Sequence, residues 1–258
     1  MSAAALPLPF STWRHFFWRR PEWWALSLSA AAWIFLTVRP ALEFSVSSLT
    51  SATHVGHTIR TSGALPLSLC DPWAAVVFHW PLMIAAMMLP PLIGQLRFVG
   101  SRSLWFRRDR AMCLFLVGYS SLWLLFGLLA ETVLLLPRSL SANFASYVTP
   151  AGFVLAALWQ LSPQKRRSLV ACHSTAPLAP AGWRADSDCF RHGLRIASTC
   201  CASCWALMLA CAASGHTLPV MLVVTLIVWF ERSYHPRSRH LYTALTLSAV
   251  ALLCMATT

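Results

Sequence analysis

The sequence predicts an all-α, polytopic transmembrane helix bundle of about seven spans with a cytoplasmic amino terminus. Three observations predict it. Of 258 residues, 57% are hydrophobic and only 11% charged, with a mean hydropathy of +0.60, whereas soluble domains hold about 45–50% apolar and about 25% charged residues. Apolar runs close to the length needed to cross a bilayer recur seven times along the chain. All but Arg39, Arg60 and Arg138 of the 20 Lys and Arg residues fall in alternate links or span ends on one side, which is the positive-inside pattern.

In chain order, residues 1–21 form a basic and aromatic cytoplasmic leader containing Trp13, Arg14, His15, Trp18, Arg19 and Arg20, a mixture suited to the headgroup zone. No basic residue precedes Arg14 and the apolar run that follows is too long for a cleaved signal peptide. Residues 22–258 form a single transmembrane helical domain. Its first span lies near 22–38, followed by a Ser/Thr-rich link with His54 and His57. The second lies near 73–95, where Pro90 with Pro91 should kink or end it. A basic loop with Arg97, Arg102, Arg107, Arg108 and Arg110 leads to the third span, near 111–136, with Glu131 towards its far end. The fourth lies near 147–161, and a second basic loop runs to 192. The fifth and sixth spans, near 193–213 and 218–230, are joined by a tight turn at Gly215 and His216. A seventh span fits near 241–255.

The net charge of +12 sits in short links between apolar runs, where it meets anionic headgroups. With the spans removed, no basic face with interleaved aromatics remains, so the lipid bilayer is a predicted partner and nucleic acid is not. Most of the nine cysteines lie within spans, which argues against an extracellular disulfide framework. Loop cysteines are few, Cys70 and Cys172 among them.

The residues suited to chemistry are soft metal ligands. In 197–211 (ASTCCASCWALMLAC), Cys200, Cys201, Cys204 and Met208 are densely spaced, and Cys201, Cys204 and Met208 stack on one side of a helix. In 79–90 (HWPLMIAAMMLP), His79, Met83 and Met87 follow at i+4 steps. The second and fifth spans are antiparallel in this topology, and a rise of about 1.5 Å per residue puts Met87 level with Cys201, Met83 with Cys204 and His79 with Met208. Thiolate and thioether ligands favour copper(I), and zinc is the alternative. The same residues also have a packing role, because methionine fills irregular interfaces and cysteine lets helices approach. C-x-x-C at Cys201 and Cys204 admits a thiol–disulfide oxidoreductase. Cys172 and His173 beside Lys165, Arg166 and Arg167 offer a point where metal enters or leaves. No Ser/His/Asp triad, carboxylate pair or metalloprotease motif is present, so no catalytic residue is assigned.

Three stretches carry a resemblance: 80–90 (WPLMIAAMMLP), 159–173 (WQLSPQKRRSLVACH) and 191–208 (RHGLRIASTCCASCWALM), followed by Glu231 with Arg232. In this order they resemble the bacterial family catalogued as domain of unknown function 2182, described as predicted metal-binding integral membrane proteins. Trp159, Ser168 and His173 depart from the family pattern, which more often has Tyr, Cys and Arg there. The loss of a cysteine at Ser168 leaves Cys172 fewer partners for holding metal in the loop. Carried over by position, the resemblance implies Met83, Met87, Met88, Cys201, Cys204 and Met208 as ligands.

The sequence therefore predicts a multi-pass protein of the bacterial inner membrane that binds copper between its second and fifth spans. It would hand the metal to a membrane or periplasmic protein partner. A structural subunit of a membrane complex is the remaining alternative.

Overall fold

A computed structural model describes residues 22–52, 79–140, 142–233 and 246–247. The leader 1–21, the link residues His54, His57 and Cys70, the start of the second predicted span and nearly all of the seventh lie outside the described residues. Seven helices, and no strand, are found among the described residues: α1 (Trp23–Ala52), α2 (Trp80–Arg102), α3 (Arg108–Leu140), α4 (Ala142–Gln160), α5 (Pro163–Ala171), α6 (Gly182–Ala213) and α7 (Leu218–Ser233). Three stretches are long and apolar enough to cross a membrane: α2, the 105–134 stretch that takes in most of α3, and α6. The apolar part of α1, Trp23–Val38, is shorter.

The prolines of the second predicted span do not end α2. A π-helical turn at Ile84–Met88 precedes them and the helix continues to Arg102. The Ala86 carbonyl would accept from the N–H of residue 90 in an α turn or 91 in a π turn, and both are prolines without an N–H. Two side chains from α1 take over, Ser29 Oγ donating at 3.0 Å and Trp33 Nε1 at 2.9 Å. Ser29 and Trp33 are four residues apart and so share one face of α1. The break in α2 thereby becomes the polar anchor for α1.

The second basic loop contains a helix that hydropathy alone does not reveal. Ser162 caps α5 by accepting from the Lys165 backbone N–H at 3.1 Å, with Pro163 opening the first turn. α6 begins at Gly182 rather than near 193. Its charged first half is paired at the bundle end: Asp186 bridges Arg107 and Arg110 of the α3 region, the latter at 2.7 Å. Apolar run length thus marks the part suited to lipid, not the whole helix. At its other end α6 closes with a Schellman motif, Gly215 at φ +68°, in which His216 N–H donates to the Cys211 carbonyl and Gly215 N–H to that of Ala212.

α6 is the centre of the packing. Its most extensive partner is α3, with α4, α5 and α7 also against it, while α2 packs on α1, α3 and α7. The α3–α6 crossing is set by two glycines. A Cβ on Gly193 would sit 2.1 Å from the Phe115 carbonyl oxygen, and one on Gly118 would sit 2.3 Å from that of Phe190. Close backbone approach through small residues is how helices associate where lipid removes the usual hydrophobic drive. The exterior is apolar, with Ile34, Phe35, Leu125, Leu129, Val133, Leu158, Leu226 and Phe230 exposed. At the end bearing most of the described arginines, Trp105, Phe106 and Trp183 are exposed beside Arg107, Arg108 and Arg184, as interfacial anchors are.

Gly193→Ala is expected to lower thermal stability in detergent by about 1–3 kcal/mol, because the added methyl overpacks backbone. Gly94→Ala, whose Cβ meets nothing within 4 Å, should be neutral or stabilising by up to about 1 kcal/mol. Melting curves of the two variants beside wild type check the pair, and equal shifts would contradict the crossing geometry.

Candidate functional site

The sulfur-bearing face of α6 is built one turn at a time. Cys200, Cys204 and Met208 follow at i+4 steps and are completely buried, whereas Cys201, rotated by about 100°, is half-buried. Cys172, in the segment after α5, Cys200 and Cys204 lie near enough for their thiols to influence one another's ionisation. Three thiols therefore form a row that starts in the loop and runs into the bundle. Tyr119 Oη of α3 donates to Cys200 Sγ at 3.2 Å, and Arg232 Nη1 of α7 at 3.5 Å. Cys204 Sγ lies 3.2 Å from Ser203 Oγ.

Two buried cations flank the row and are balanced differently. Lys165, wholly buried, is 2.8 Å from Glu231, so α5 is tied to α7 by an ion pair. The neighbouring Arg232 is 7% exposed, and its hydrogen-bond partner is the Cys200 sulfur. Among the described residues no carboxylate lies within ion-pair distance of it.

Cys172 is held from a third direction by Gln95 of α2. The amide nitrogen of Gln95 donates to the Cys172 carbonyl at 3.0 Å, and its oxygen accepts from His192 Nε2 of α6 at 3.1 Å. Beside it a cavity of about 460 Å³ is lined by Pro90, Pro91, Gln95, Cys172, His173 and Arg232, among others. The Cys172 thiol is lowered from the ordinary 9.0 to about 7. The neighbouring Cys200 thiol is the largest cause, and Arg232 and Thr199 add to it against the opposing effect of burial.

At the opposite end of the bundle His79 meets His216, ring centroids 4.4 Å apart in an edge arrangement, with the Trp80 ring 5.7 Å from His216. Trp80 Nε1 donates to Glu131 at 3.4 Å.

Of the ligands expected from sequence, Met83, Met87, Met88, Cys204 and Met208 are fully buried in one contiguous core, and Cys201 lies at its margin. His79 stands at the start of α2 against the α6–α7 turn. α2 and α6 meet directly through Gln95 and His192, but the main neighbour of α6 is α3. Among the described residues, no three His, Cys, Asp or Glu side chains converge so as to hold a metal ion, so the four-ligand set that zinc prefers is not assembled from those types. Tyr119, Arg232 and Gln95 were not expected at the site. Tyr119 carries no signal in sequence, whereas Cys200 and Cys204 at i+4, with an arginine following Glu231, are legible in retrospect.

Fold and site define a class: a helical bundle with spanning-length helices and a core rich in soft sulfur side chains. A family model described as PpoB2, copper chaperone, matches residues 77–257, and the chain belongs to that family. The expectation of a metal-related family is met, and the metal in the family's description is copper. No curated protein and no solved structure matches the chain.

Two outcomes follow from the site. Glu231→Gln leaves the Lys165 ammonium buried without a counter-charge and should cost about 3–5 kcal/mol, whereas Lys165→Met with Glu231→Leu should recover most of it. Thermal denaturation of both variants checks this. Because the thiolate is the nucleophile, the rate of Cys172 modification by a small methanethiosulfonate reagent should rise with pH through about 7 and fall away below it. Arg232→Gln should move that midpoint upward, since the guanidinium favours the thiolate. Mass-spectrometric rate profiles measure both.

Proposed function

We propose that the protein is a multi-pass protein of the bacterial inner membrane that accepts copper(I) into its bundle and delivers it to a membrane or periplasmic protein partner. Copper is the cargo. The candidate ligands are Cys201, Cys204, Met83, Met87, Met88 and Met208, with His79 at the far end. The proposal keeps seven spans, with the arginine-rich end cytoplasmic.

The observation that carries the reading is the burial of Met83, Met87, Met88, Cys200, Cys204 and Met208 in one core, inside the 77–257 segment shared with copper chaperones. Soft thiol and thioether ligands select copper(I) over harder cations. A core enclosed by apolar helices withholds water from the ion, and thioethers can pass it on because they carry no charge to be neutralised. Apolar side chains on the exterior support placing the bundle in lipid.

Protein purified in detergent under reducing conditions and loaded with copper(I) should retain stoichiometric copper after exchange into copper-free buffer. Cys201→Ser with Cys204→Ser should retain less. Elemental analysis decides it: wild type without copper, or a double variant indistinguishable from wild type, would remove the basis of the reading.

A further inference from the structure

Resting on that reading, we infer that Cys172 and Cys200 form a two-sulfur copper(I) transfer site beside the 460 Å³ cavity that Cys172 and Arg232 line, with buried Arg232 as its built-in counter-charge. Three independent features of the structure lead there.

The first is topology. Cys200 lies in α6 and Cys172 in the segment after α5, yet both gather at Arg232, whose Nη1 is 3.5 Å from Cys200 Sγ and which lines one cavity with Cys172. A pair drawn from two separate elements, with one carbonyl pinned by Gln95, is a positioned pair rather than a repeat along one helix. Cys204 continues the row inward, so the pair is the outermost station of a sulfur row that leads towards the core.

The second is charge. An isolated buried guanidinium is costly, and a buried cation is normally paired. Lys165 takes Glu231, while Arg232 is aimed at Cys200 sulfur. A copper(I) ion between two thiolates carries one net negative charge, which one guanidinium neutralises. A divalent ion between the same thiolates would be neutral and leave Arg232 facing no charge.

The third is geometry. No third His, Cys, Asp or Glu converges there among the described residues, and copper(I) is the soft ion that accepts two-coordination. Cys172, His173 and Arg232 line one cavity, the route by which an incoming thiolate or thioether of a partner would reach the metal.

The step is ligand exchange. Copper–sulfur bonds to the donor's thiolates or thioethers break as bonds to Cys172 Sγ and Cys200 Sγ form. The thiol protons pass to the departing thiolates or to water, and copper stays in the +1 state throughout.

The test is copper-dependent protection of individual cysteines in the full-length protein in detergent, read by mass spectrometry after alkylation. Copper(I) should slow labelling of Cys172 and Cys200 by about tenfold or more and leave exposed Cys113 unaffected. That protection should persist in Cys201→Ser with Cys204→Ser. Arg232→Gln should weaken it and Arg232→Lys should restore it in part, a readout that a packing role would not move. Cys172→Ser should slow release of copper to an external copper(I) chelator by about tenfold. If wild type retains copper while Cys172 and Cys200 label equally with and without it, this site is overturned and the copper-handling reading stands. If wild type retains no copper, both fall.

Discussion

The Gly118–Gly193 crossing is the constraint on which the rest of the structure depends. With no side chain at either position, the backbones of α3 and α6 touch, and each glycine faces a carbonyl of the other helix. A contact that close removes the freedom of α6 to rotate about its axis. It places Tyr119, the residue after Gly118, within reach of Cys200, and it turns Cys200, Cys204 and Met208 into the core while leaving Cys201 at its edge. The orientation of the sulfur face is therefore set by backbone packing seven residues away from the first of those cysteines.

Polar groups within the bundle show three solutions to one problem, the cost of an unsatisfied polar or charged group away from water. Lys165 and Glu231 neutralise each other. Arg107 and Arg110 converge on Asp186 at the bundle end. Arg232 instead faces sulfur, so here a buried cation meets soft thiols rather than a carboxylate. The Ala86 carbonyl is the neutral version of the same problem, orphaned by two prolines and satisfied by Ser29 and Trp33. That repair also holds α1 against the π turn that carries Met87 and Met88. Both methionines of that turn are fully buried.

Much of the fold is legible in the chain. Apolar runs locate the cores of α1, α2, α3, α4, α6 and α7, and Gly215 marks the α6–α7 turn, because hydrophobicity and glycine's access to positive φ are local properties. Helix ends are less so: α6 starts at Gly182 and α2 runs on to Arg102 because their charged ends pair or reach water rather than lipid, which hydropathy does not register. α5 is missed because its nine residues are mostly polar and its capping by Ser162 becomes informative only when a neighbour is there to pack against.

For the candidate site the division is similar. Residue types and spacing by themselves determined that soft ligands cluster in 79–90 and 197–211, since the chemistry of sulfur and the 3.6-residue period are carried by the residues. Only the tertiary structure decided that Cys200 rather than Cys201 faces inward, that Cys172 joins it from a loop, and that Tyr119, Gln95 and Arg232 gather around them. A one-residue change of face is a rotation of about 100°, and that angle comes from how two helices touch, which no spacing within one of them encodes.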